Sequence, residues 1–89
     1  MKVCRVVWED SEKNRDVELV VDYRVVEGGV QIDKITPAKV TLYAECGEQI
    51  MKVLPVTTKT GQMVLARAHE NSDHRAAIEQ EILDQHLAV

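Results

Sequence analysis

Phenylalanine is absent from this 89-residue chain, and the aromatic content is 3%, from Trp8, Tyr23 and Tyr43. A hydrophobic centre must therefore be built from Val, Ile, Leu and Met, an aliphatic and partly β-branched set that suits strands. The same scarcity argues against a nucleic-acid surface, which needs exposed rings for base stacking interleaved with basic side chains. Cysteine is equally sparse. Cys4 and Cys46 have no secretory signal beside them, so they form no disulfide framework and are expected as reduced thiols. No apolar run approaches the ~18 residues of a membrane span. Arg5 and then Glu9-Asp10 break the apolar start, so no signal region is expected there and the expected location is cytoplasmic, with no membrane partner.

What is present is the balance of an ordinary folded domain, with 45% apolar and 29% charged residues. A chain of this length supports one core, so residues 1–89 are expected to form a single domain. The net charge of −4 is unevenly placed. Acids and bases cancel up to His69, and the excess comes from Glu70, Asp73, Glu79, Glu81 and Asp84 against Arg75 alone. A balanced body with an acidic end does not offer the clustered Lys and Arg that phosphate binding requires.

The clearest pattern is Val17, Leu19, Val21, Tyr23 and Val25, apolar at every second residue. Side chains alternate across a strand, so these line one face of a long strand from about Asp16 to Val26. Gly28-Gly29 then supplies the positive φ of a tight hairpin turn. A first strand is expected over Lys2 to Trp8, joined to the second by a polar loop from Glu9 to Arg15, and a third from Val30 to Ile35. Thr36-Pro37 interrupts the ladder because proline has no N–H to donate. Val40, Leu42 and Ala44 then form either a fourth strand or the third continued past a bulge. Cys46-Gly47 reads as a turn, and Gln49 to Val56 as a further strand because Pro55 opposes a helix.

Residues 58–70 fit a helix capped by Thr58 or a hairpin turning at Lys59-Thr60-Gly61. Leu65-Ala66-Arg67-Ala68 is poor strand material, so the helix is preferred. Asn71-Ser72-Asp73 restarts the chain, with Ser72 as N-cap and Asp73 at the positive end of the helix dipole. A last helix from about Asp73 to Leu87 gathers Ile78, Ile82, Leu83 and Leu87 on one face, with Glu81 and Asp84 on the other. The expected fold is α+β: an antiparallel meander sheet of four to five strands with one or two C-terminal helices packed on one face.

Residues that could carry chemistry do not form a set. His69 and His74 bracket a segment like a zinc-protease pattern, but they are five apart, not four. On one helix that turns the second ligand by ~140°. Both histidines are expected at the surface around an interhelical turn. Zinc could be held by Cys4, Cys46 and a histidine meeting in space, yet no paired ligand spacing supports it. Cys46 lies between carboxylates that disfavour its thiolate. Ser11 sits in a charged loop, and Asp22 and Asp33 are expected as solvated strand residues near Arg24 and Lys34. No catalytic, cofactor-binding or metal residues are assigned, no cofactor is expected, and no small-molecule ligand is inferred.

Surfaces remain. Val3, Val7, Val20 and Val26 fall in the register opposite the apolar row and would stay uncovered if the helices occupy one sheet face. The leading functional expectation is a non-enzymatic protein-interaction module that self-associates, as a homodimer, through that face or a free sheet edge. One alternative is that Glu79, Glu81 and Asp84 on the last helix bind a basic partner or stand in for nucleic-acid phosphates. A small enzyme is the other alternative, and it requires a cleft that gathers His69, His74, Cys46 or strand carboxylates.

Overall fold

The computed structural model describes residues 2–44 and 49–87, the side chains of His86 and Leu87 excepted. The expected α+β architecture is present. Strands β1 (Lys2–Asp10), β2 (Arg15–Val26), β3 (Gly29–Tyr43) and β4 (Ile50–Pro55) pair antiparallel in the order β1-β2-β3-β4. Helices α1 (Lys59–Glu70) and α2 (Asp73–Ile82) follow, and a π-helical turn over Leu83–Leu87 continues α2. The helix reading of residues 58–70 is the one realised, with the Thr58 Oγ1 accepting from Gly61 N at 3.0 Å. The expected turn at Cys46-Gly47 lies outside the described residues.

Alternation places the core on one face. Cys4, Val6 and Trp8 of β1 are buried and stand directly opposite Val21, Leu19 and Val17 of β2. Tyr23 is buried too, whereas Val25 is 55% exposed because it lies past the reach of β1, whose pairing begins at Lys2↔Tyr23. From the helices come Leu65, Ile78 and Ile82, with Val56, Ala68 and Leu83 at the margin. Covering one sheet face with amphipathic helices leaves the other face to solvent.

Strand β3 stays on this face by changing parity twice. Lys34 pairs with Asp22 but Ile32 with Tyr23, and Lys39 pairs with Glu18 but Pro37 with Leu19, so Asp33 and Ala38 are the extra residues of two bulges. Each extra residue inverts which side chains point inward. Val30 and Ile32, then Ile35 and Pro37, then Val40 and Leu42 therefore all reach the core side. Thr36-Pro37 does not interrupt the ladder as expected. The strand runs through it, continued past a bulge, and β4 pairs only from Lys39 onward, so Pro37 has a single strand neighbour.

Two connections differ from expectation. Only Gly28 takes positive φ, at 86°, whereas Gly29 already belongs to β3 and closes the hairpin opposite Val26. The polar segment between β1 and β2 is shorter than Glu9 to Arg15, because Glu9, Asp10 and Arg15 pair in the ladder. What remains is a 3-10 turn, Ser11–Lys13, ended by Asn14 in the left-handed region at φ 50°. Asparagine tolerates that conformation, and here its side-chain amide donates to the carbonyls of Tyr43 and Ala44 at 3.2 and 2.8 Å.

Candidate functional site

Strand β4 is the most open apolar element. It is short, pairs only with Lys39–Tyr43, and has every one of its residues exposed. Ile50, Met51, Val53 and Leu54 are 56%, 70%, 48% and 37% exposed, and Lys52 is the only charge between them. Val56 N–H bonds Ala38 O at 2.9 Å, so alternation turns the nitrogen of Val53 away from β3. Pro55 falls on that same outward side, where its missing N–H costs the ladder nothing. Edges are blunted by shortness, charge, proline or a bulge, and β4 carries Lys52, Pro55 and the register shift opposite Leu42/Tyr43.

The valines of the open face are placed differently from one another. Val3 and Val7 are 61% and 49% exposed, and Val20 is half-buried between them on the neighbouring strand, opposite Arg5. Val26 lies at the hairpin end, about 20 Å along β2 from Val20 at ~3.3 Å per residue, so it belongs to no common patch. Charge divides the rest of the face. Glu18 accepts from Arg5 at 2.7 Å and pairs with Lys39 at 3.4 Å, and these cations hold its carboxyl below the usual range. Arg24 grips Asp33 through both carboxylate oxygens. Asp22 faces Lys34 across the ladder, so the two aspartates do not pair with each other.

Of the acidic set at the C-terminal end, Glu79 is exposed, Asp84 accepts from Gln80 Nε2 at 2.8 Å, and Glu81 is partly covered. Glu81 is the end of a partly buried chain. His69 Nε2 lies 2.8 Å from His74 Nδ1, and His74 Nε2 lies 2.6 Å from Glu81 Oε2. The expected solvent-facing positions are thus corrected, because His69 is 1% exposed. The cause is the helix break at Asn71-Ser72. A spacing of five is unfavourable along one helix, but it joins the last turn of α1 to the first turn of α2 once the chain folds back between them. Ser72 contributes by position as the N-cap of α2, yet its hydroxyl caps nothing there and donates instead to His69 O at 2.6 Å.

Trp8 closes the other side of His69, edge to face at 5.2 Å between ring centroids. Burial, with His74 and Arg75 as nearby positive charge, pushes the His69 pKa down to about 4. The Cys4 thiol is pushed up, first by burial and then by Glu81, which makes it a poor nucleophile. Among the described residues no cluster of His, Cys, Asp and Glu could hold a metal ion. The expected alternative of zinc between Cys4, Cys46 and a histidine involves Cys46, which is outside them.

Beside this chain is a cleft of about 670 Å³ whose lining includes Trp8, Asp10, Arg15, Ser72, His74 and Glu81. It brings His74 together with a strand carboxylate, as an enzyme would require. In this arrangement both ring nitrogens of His74 are engaged, Nδ1 with His69 and Nε2 with Glu81. Arg15 is also held, to Asp10 at 2.8 Å and over the Trp8 ring at 5.9 Å. The histidine chain was missed in the sequence because no single-helix spacing signals it. No family model, curated protein or solved structure matches the chain. No helix among the described residues is long and apolar enough to cross a membrane.

Proposed function

We propose that this protein is a non-enzymatic interaction module of the cytoplasm, and that its partner is a second copy bound through the free edge of β4. The observation that carries this reading is that every residue of an apolar edge strand with one charge is exposed. A two-fold antiparallel pairing centred on Val53 satisfies the outward N–H and C=O of Val53 reciprocally, while Pro55, opposite the second copy's Met51, supplies no N–H. That register sets Lys52 opposite the second copy's Leu54 and creates no like-charge pair. The two sheets become one continuous sheet.

The edge is preferred to the open sheet face because ion pairs divide that face around Val3, Val7 and Val20. The acidic-helix alternative is weaker still, with Glu81 and Asp84 already engaged.

Size-exclusion chromatography with light scattering tests the proposal. The wild type should move from monomer to dimer as concentration rises, and Val53→Lys should remain monomeric with an unchanged far-ultraviolet spectrum. Val3→Lys should leave the dimer intact. A wild type that is monomeric at the highest attainable concentration rules the proposal out.

A further inference from the structure

Edge pairing makes no use of the His69–His74–Glu81 chain. It joins three elements: His69 ends α1 against Trp8 of β1, His74 opens α2, and Glu81 lies two turns further along α2. Around the rings are Arg75 and Glu81 from α2 and Cys4 of β1 near Glu81. Glu9 and Asp10 of β1, Glu12 and Lys13 of the 3-10 turn, Arg15 of β2 and Asp73 of α2 line the same cleft as His74.

Donor counting determines which protonation states this geometry accepts. In the neutral chain His74 Nε2–H donates to Glu81, so His74 Nδ1 must accept from His69 Nε2–H. One added proton is accommodated. His74 becomes an imidazolium that donates to Glu81 and to His69 Nε2, and His69 carries its proton on Nδ1 instead. A second added proton is not accommodated. Both rings would then be cationic, with N–H facing N–H across 2.8 Å and Arg75 adding to the repulsion.

We propose that the His69–His74–Glu81 chain is an acid-released latch, closed with no or one added proton and opened by the second, which frees the α1–α2 turn from β1 and uncovers Trp8. The four-stranded ladder, whose core side is held by Leu19, Val21 and Ile78 as well, persists when the latch opens. Glu81 favours the closed form because its carboxylate balances the first proton.

Trp8 is the only tryptophan and is 6% exposed, which makes its emission a direct reporter. Titrating the whole protein from neutral pH toward pH ~4, the range in which histidine charges, should shift that emission to longer wavelength while the far-ultraviolet circular dichroism keeps its strand signal. His69→Gln, which preserves a donor to His74 but does not titrate, should abolish the shift. Glu81→Gln should move its midpoint to higher pH, because the singly protonated closed form loses its counter-charge. An unchanged shift in His69→Gln, a midpoint that Glu81→Gln leaves in place or lowers, a shift that coincides with loss of the strand signal, or no shift above pH ~4 would each overturn the latch.

Discussion

Acid titration of stability isolates the contribution of one buried ring. His69 is 1% exposed, and its pKa falls from the ordinary 6.5 to about 4. The unfolded chain therefore binds a proton more readily than the folded one, and stability falls as pH drops from 6.5 toward 4. Above 6.5 the ring is neutral in both states and the contribution is fully present; below about 4 both states are charged and it is gone. At 1.36 kcal/mol per unit, the whole shift is worth about 3 kcal/mol, and about 2 kcal/mol is lost between pH 7 and pH 5. The state gained can be the opened latch or the unfolded chain, since either exposes the ring. Urea denaturation at a series of pH values measures this, with His69→Gln as the reference that lacks the titration. Glu18 does not obscure it, because a depressed carboxylate pKa keeps its contribution above 4.5 and loses it only below, in a more acid window. Wild-type stability that is flat to within ~0.5 kcal/mol from pH 7 to 5, the scatter typical of neutral surface changes, would refute the assignment of a neutral buried His69.

Three substitutions probe the scaffold. Ile78→Ala removes a fully buried side chain where α2 meets the sheet, and the loss should be about 2–5 kcal/mol by chemical denaturation, with a small remainder if the helix collapses onto the space. Gly28→Val places a β-branched residue at φ 86° with no steric neighbour at its Cβ, so any cost is backbone strain alone; it should be roughly 1–2 kcal/mol, whereas Gly29→Val should cost less.

The alternation of Val17, Leu19, Val21 and Tyr23 determined β2 and its buried face without help from the rest of the chain, because strand periodicity is local. The same holds for the Thr58 cap, the break at Asn71-Ser72 and the apolar face of α2, so the α+β meander was legible from residues alone. Beyond that point local signals ran out. Pro37 looked like an interruption because its missing N–H is a local property, but whether a neighbouring strand needs that donor depends on how far β4 pairs along β3, and that pairing stops at Lys39↔Pro55. The parity changes at Asp33 and Ala38 likewise exist only in the pairing with β2. His69 and His74 looked like surface residues because periodicity along one helix separates them. Packing two helices and Trp8 around the turn brought them to 2.8 Å. The exposed apolar surface grew for the same reason: residue type marked Val3, Val7, Val20 and Val26, and the lack of a second neighbour for β4 added Ile50, Met51, Val53 and Leu54. Sequence determines which side chains alternate; which of them find a partner is decided by elements far apart in the chain.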